Sequence, residues 1–317
     1  MSAPLLIGTR KSPLALWQAD RVQQLLANNG LAASLVRLST LGDRIVDRPL
    51  AEVGGKGLFV KELEEAMQDG RADLAVHSAK DVPFALPDGF WLCAFPLRED
   101  ARDALVAPRA KTFAQLPKGA RVGTSSLRRA VQLCAERPDL EIVPVRGNVA
   151  TRLGRASGSE PLDAVVLALA GLRRLGLEEH VTEVLPVELS LPAAGQGALA
   201  IEVLAGSRGE RAAAPLDDAR VSRCVRAERA VLHRLAGSCT VPLAAYAVEL
   251  PDGQLWLRSV LGGAGRLLRA DGRGQDPLLL GAEVAEALLA QGGSVFLTPG
   301  PGLASPSQVS GRDPDSR

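Results

Sequence analysis

The chain has 317 residues, 46% hydrophobic and 23% charged, the balance of a folded globular protein with material for two or three domains. A net charge of +1 excludes a global field that would draw the protein to nucleic acid or to a membrane surface. No apolar run approaches the roughly 20 residues of a membrane span, and MSAPLLIGTRKSPLAL lacks the basic start and long apolar core of a signal peptide. Cys93, Cys134, Cys224 and Cys239 form no CxxC pair, so a reducing cytoplasm is the simplest compartment. His77, His180 and His233 are scattered, and no metal site is expected. With 31 Arg against 6 Lys, an arginine carries weight only through its position.

Leu5-Leu6-Ile7 is a short apolar run ending at Gly8-Thr9-Arg10. Pro13 then opens a helix to about Asn29, with Leu14, Trp17, Val22, Leu25 and Leu26 on one stripe and Gly30 as the stop. Residues 32–38 read as a strand. The polar run from Thr40 to Gly57 has no period and is longer than a passive connection, so it reads as a mobile active-site loop. A helix over 59–68 and a strand over 72–76 follow, then His77-Ser-Ala-Lys-Asp-Val-Pro83. The charged run Arg98-Glu-Asp-Ala-Arg102 suits a crossing between domains. Alternation resumes with strands near 104–107, 121–124, 140–145 and 163–168 and helices over 126–137, 149–156 and 170–175. Such alternation argues a parallel or mixed sheet covered on both faces. Leu191-Pro-Ala-Ala-Gly-Gln-Gly197 reads as a second crossing, back toward the first domain. The last third is α+β: a helix from Asp217 to Leu235, strands at 243–249, 254–261 and 265–270, and a helix at 277–290. The Pro/Gly/Ser-rich tail from Pro299 has the composition of disorder. The expected division is 1–98 with 197–215, 99–196, 216–298, and the tail 299–317.

Ligands of open α/β sheets bind outside the carboxyl ends of strands. Four polar segments fall there: Gly8-Thr9-Arg10-Lys11-Ser12, Ser78-Ala-Lys80-Asp81, Gly123-Thr124-Ser125-Ser126 with Arg128 and Arg129, and Val145-Arg146-Gly147-Asn148 with Arg152. Free backbone N–H groups at a helix start favour an anion, and forked guanidinium groups suit a carboxylate or phosphate. No GxxxxGK[ST] loop and no GxGxxG after a strand is present, so a polycarboxylate fits better than a nucleotide. Asp81 is the one carboxylate at this cationic mouth. It stays ionised there, ready to stabilise a developing positive charge. His77 and Ser78 read as structural. Cys93, Cys134 and Cys224 read as core residues. Cys239 has a loop address in LAGSCTVP, after a helix C-terminus that does not favour a thiolate, and a Cys–His nucleophile is unconvincing. A binding protein for a small polyanion and an enzyme both remain open on these grounds, with the loop cysteine and the missing export signal favouring the enzyme.

HSAKDVP, GTSSLRRAVQL, RGNVATRL, AGLRRLGL, LPAAGQGAL, GTRKSPLALWQA, VGGKGLFVKELE and the Cys239 turn together resemble the porphobilinogen deaminase (hydroxymethylbilane synthase) family, in order and spacing over residues 4–290. The resemblance implies two doubly wound α/β domains, arranged like bilobal periplasmic binding proteins, and a small α+β third domain. It implies a covalent dipyrromethane cofactor joined through a thioether to Cys239. It further implies condensation of four porphobilinogens with loss of ammonia, for heme and other porphyrin synthesis. By position, Asp81 matches the catalytic carboxylate. Lys80, Asp81, Thr124, Ser126, Arg128, Arg129, Arg146 and Gly147 match cofactor-binding positions, and Arg10, Ser12, Arg146, Arg152, Arg174 and Gln196 match substrate-binding positions. Asp43, Lys56 and Phe59 match the mobile loop. Two positions depart from the familiar pattern, Ser238 for Gly and Glu52 for Lys. A cytoplasmic monomer with porphobilinogen as its small-molecule partner is expected, with neither nucleic acid nor membrane.

Overall fold

The computed structural model describes residues 3–40, 60–158, 161–235, 241–263 and 265–297. Asp43, Glu52, Lys56, Phe59, Ser238, Cys239 and the tail from Pro299 lie outside the described residues.

The first sheet joins β1 (Leu5–Arg10), β2 (Ala33–Leu38), β3 (Leu74–Ser78), β4 (Phe90–Ala94) and a late arrival, β10 (Leu199–Leu204), in the order β2-β1-β3-β10-β4. β1 runs parallel to β2 and β3, whereas β10 is antiparallel to β3 and β4. Helix α1 (Pro13–Asn28) starts at Ser12, whose hydroxyl accepts from Ala15 N, with Pro13 preset for the first turn. It buries Ala19, Val22 and Leu26 against Ile7, Leu74 and Val76. Helix α2 (Lys61–Gln68) covers the other face with Leu63, Ala66 and Met67 on Ala75.

The second sheet repeats the plan. β5 (Asp103–Val106), β6 (Arg121–Gly123), β7 (Glu141–Val143), β8 (Ala164–Ala168) and β9 (Glu183–Val184) lie in the order β7-β6-β8-β5-β9. β6 is parallel to β7 and β8, and β5 is antiparallel to β8 and β9. Helices α3 (Leu127–Glu136), α4 (Val149–Gly154) and α5 (Leu169–Arg174) follow β6, β7 and β8. In each sheet the antiparallel interior strand is the one delivered by a crossing between lobes. That is why β10, far along the chain, sits between β3 and β4. The sequence reading places the strands of the two α/β runs but misses β4, β9 and β10 and the helix α6 (Arg208–Ala213). The 72–76 strand is also shifted: β3 begins at Leu74 and continues into His77 and Ser78.

The crossings touch. Arg98 and Ala198 form an isolated antiparallel bridge, and Glu99 N donates to Gly197 O at 3.0 Å. A Cβ on Gly197, whose φ is +85°, would stand 2.3 Å from Glu99 O, so only glycine allows this approach.

The third unit is a sheet of β11 (Leu243–Glu249), β12 (Leu255–Gly263) and β13 (Arg266–Gly274), all antiparallel. Helices α7 (Ala219–Arg234) and α8 (Pro277–Ala290) bury Ala227, Val231, Val284 and Leu288 against Leu243, Ala245, Leu257 and Leu261. β13 runs to Gly274, four residues past the expected strand end. Leu191 from the second crossing packs on Ala244 and Val260 on the opposite face. Glu228 of α7, fully buried, ties the units together. It takes Arg98 Nη1 at 2.7 Å, Gly195 N at 2.7 Å and Ala247 N at 2.8 Å. Among the described residues no helix is long and apolar enough to cross a membrane.

Candidate active site

β3 ends in a 3-10 turn, Ala79–Asp81, which lifts Asp81 to the surface of the cleft while Ala79 stays buried. Arg10 at the end of β1, Ser12 at the start of α1, His77, Ser78 and Asp81 line one cavity of about 60 Å³. The first and second sequence segments thus meet on lobe one.

On lobe two, Gly123 ends β6 where a Cβ would strike Leu162, Val165 and Val145 within 3.0 Å. Thr124 is buried, its hydroxyl accepting from Ser126 N at 3.2 Å, and Ser125 Oγ donates to Val145 O at 2.6 Å. Ser126, at the N-cap, makes no side-chain capping bond to α3, so the helix start keeps its donors for something else. Arg146 is exposed at the cleft rim. Gly147, at φ +96°, turns the chain into α4, where Asn148 caps Thr151 N and Arg152 Nε donates to Gly147 O at 2.8 Å. Asp81 of lobe one and Arg129 and Arg146 of lobe two all act electrostatically on Arg152. Arg152 thus lies within electrostatic reach both of Asp81 and of the third segment.

The sequence reading treats Arg128 and Arg129 as open forks for a ligand, and the structure shows how those forks are held. Both are buried, and each puts one Nη2 on Asp103, at 2.8 and 2.7 Å. Their Nη1 groups go to Leu191 O and Val166 O. Asp103 also receives Ser190 Oγ at 2.7 Å and Gln196 Nε2 at 2.8 Å. Burial alone would raise the Asp103 pKa, but Arg128 and Arg129 outweigh it and hold the carboxyl well below the usual range. Gln196 passes the connection on, accepting from Lys80 Nζ at 3.4 Å. Burial pulls Lys80 down to about 8, against the opposing pull of Asp81. Arg174, matched to the incoming ring, is buried too, donating to Gly197 O and lying 5.4 Å from the Trp17 ring centroid. What remains unspent is specific: Nε of Arg128, of Arg129 and of Arg174 are buried donors with no hydrogen-bond partner among the described residues. Orphaned guanidinium donors suit carboxylate partners, so the chemistry of the residues present fits a dipyrromethane carrying acid side arms.

Sequence reasoning missed Asp103 and Glu228, whose short motifs look like ordinary strand and helix residues. The cysteines divide much as expected. Cys93 and Cys224 are buried, their thiols pushed by burial to about 12 and about 11, while Cys134 is only half-buried and is not a full core residue.

Two α/β lobes that bring arginines to a cleft with one exposed aspartate, and a third unit packed on their crossings, make an arrangement suited to a ligand rich in negative charge. The model of the dipyromethane cofactor binding domain of porphobilinogen deaminase matches residues 5–211, and that of its C-terminal domain matches residues 222–290. A porphobilinogen deaminase of Syntrophotalea carbinolica is 52% identical over 311 residues, covering 93% of this chain and 96% of that protein. The chain belongs to the porphobilinogen deaminase family. Among solved structures, a periplasmic substrate-binding protein of an ABC transporter from Coxiella burnetii is 15% identical, with a TM-score of 0.43, covering 69% of this chain and 94% of its own. A periplasmic VFT2 domain of BvgS from Bordetella pertussis is 17% identical, with a TM-score of 0.39 and coverages of 67% and 84%.

Proposed function

We propose that this protein is a hydroxymethylbilane synthase. It condenses four porphobilinogen molecules, each with loss of ammonia, onto a covalent dipyrromethane and releases the linear tetrapyrrole. The observation that carries this reading is the family match over both segments of the chain, supported by the charge interactions of Asp81, Arg129 and Arg146 with Arg152. The dipyrromethane supplies a free pyrrole α-carbon as the starting acceptor. Cys239 holds it through sulfur.

Arg10, Ser12, Arg146, Arg152, Arg174 and Gln196 bind and orient the acid side arms of the substrate. Lys80, Thr124, Ser126, Arg128, Arg129, Arg146 and Gly147 do the same for the cofactor. Loss of ammonia from an aminomethylpyrrole leaves an electron-poor azafulvene, and Asp81 stabilises that positive charge where it develops. The domains follow the division 1–98 with 197–215, 99–196 and 216–298, and the protein works as a cytoplasmic monomer.

Intact mass tests the reading. Purified protein should exceed its sequence mass by two linked pyrrole units, Cys239→Ser should lack that excess, and wild type should consume porphobilinogen. A wild type that takes up neither primer nor substrate would leave only a binding protein for a polyanion.

A further inference from the structure

Below the floor of lobe one, three ionisable side chains are packed away from water. His77 lies on β3 two residues beyond Ala75, and Glu202 on β10 is the register partner of Ala75. Both therefore share the face on which α2 packs, and Glu64 of α2 joins them there. Their exposures are 7% for His77, 0% for Glu202 and 8% for Glu64. His77 Nε2 stands 2.8 Å from Glu202 Oε2. Glu64 faces Glu202 closely enough to share a hydrogen bond. The His77–Glu202 approach is an ion-pair contact without hydrogen-bond geometry, so His77 Nε2, both oxygens of Glu202 and Oε1 of Glu64 all lack a hydrogen bond among the described residues. Two carboxylates in contact in a dry interior do not both ionise, and a single proton between them satisfies both. Burial first, then repulsion from Glu202, raises Glu64 to about 7, with His77 opposing and Glu65 adding a little. From α7, Arg229 acts on Glu202 while donating to Pro83 O at 2.7 Å. These are the charged groups that α2, β3, β10 and α7 turn toward the pair.

The cluster is not isolated from the chemistry, because His77 also lines the cavity that holds Asp81 and Arg10. We propose that Glu64, Glu202 and His77 form a buried proton relay for the condensation at Asp81, with His77 as its end at the cleft. This rests on the functional reading above. Each condensation breaks the C–N bond of the aminomethylpyrrole, the electron pair leaving on nitrogen as ammonia. A C–C bond forms at a pyrrole α-carbon, which then gives up its proton. At C–N cleavage the proton held by the carboxyl pair passes through His77 to the amine nitrogen, so that nitrogen leaves as neutral ammonia. His77 then takes the ring proton released after C–C bond formation and hands it to the pair, and the relay ends the cycle as it began. Asp81 is then free to remain ionised beside the cation throughout, which a carboxylate forced to accept the ring proton could not do.

Glu64→Gln tests this, because the amide keeps the size and the neutral charge of a protonated carboxyl but carries no proton to pass on. We expect kcat to fall about tenfold or more, with KM for porphobilinogen within about twofold and the primer still present by intact mass. The infrared C=O band of a buried carboxyl that titrates around neutrality should vanish. A Glu64→Gln protein with the wild-type kcat and pH profile overturns the relay, since the pair would then only hold a hydrogen bond. Wild-type protein carries a test that needs no variant: the titrating carboxyl band is expected there, and its absence overturns the proposal. An active wild type with an indifferent Glu64→Gln sinks the relay alone, whereas a wild type inert toward porphobilinogen sinks the functional reading and the relay with it.

Discussion

Asp103 shows how much one buried residue can organise. It is fully buried and takes Arg128, Arg129, Ser190 and Gln196, so it aligns two guanidinium planes and connects them, through Gln196, to Lys80. Asp103→Asn would leave two buried cations short of their counter-charge. A loss of about 3–5 kcal/mol is expected, read as a large drop in the melting temperature, together with a protein that lacks the covalent primer by mass. Asp81 presents the opposite case. It is exposed at the cleft, so Asp81→Asn should fold and melt like wild type while turnover falls by about 10²–10³-fold, the scale of losing a preorganised stabilising group at the reacting centre. Near-normal product formation by that variant would remove Asp81 from the chemistry. Asp81 is legible in sequence because its neighbours are Lys80 and a strand end. Asp103 is not, because its partners come from positions 128, 129, 190 and 196, which only the fold brings together.

At the level of elements, helices with caps and stripes are read well. α1 starts at Pro13 and α8 spans Pro277–Ala290, both as read from the sequence. The strands β4 and β10 escape notice because they are short apolar runs whose partners lie far away in sequence. Periodicity carries no information about a partner about a hundred residues distant. The crossing at Gly197 is an element-scale constraint of the same kind. Gly197→Ala meets both a positive φ and the carbonyl of Glu99. It should cost about 1–3 kcal/mol from the backbone angle alone and more from the clash. Gly30, at φ +75° with open space around it, is the control. Thermal melts of Gly30→Ala and Gly197→Ala should separate, with Gly197→Ala the less stable and the less active. Equal melting temperatures would mean that the crossing yields without penalty.

Across the whole molecule, two groups set opposite limits on stability with pH. Glu64 is raised from 4.5 to about 7, so its contribution is complete below about 4.5 and is lost as pH rises through about 7. Asp103 is lowered from 3.8, so its contribution is present above 3.8 and is lost as pH falls below that. Together the two groups place the maximum at about pH 4 to 4.5, with stability declining from there to about pH 7 and levelling off above. Glu64→Gln should flatten the alkaline side, which equilibrium denaturation at a series of pH values would read. A profile unchanged in that variant would show that Glu64 does not titrate with folding.

Local chemistry was enough to place most helices and the strand ends, because hydrophobic period, caps and charge act within a few residues of one another. Which arginine keeps a free donor, which acid is buried to hold two of them, and how an imidazole comes to rest on a pair of carboxyls were decided by tertiary structure. Those outcomes depend on desolvation and on distances between residues far apart in the chain, and neither exists until the lobes close on one another.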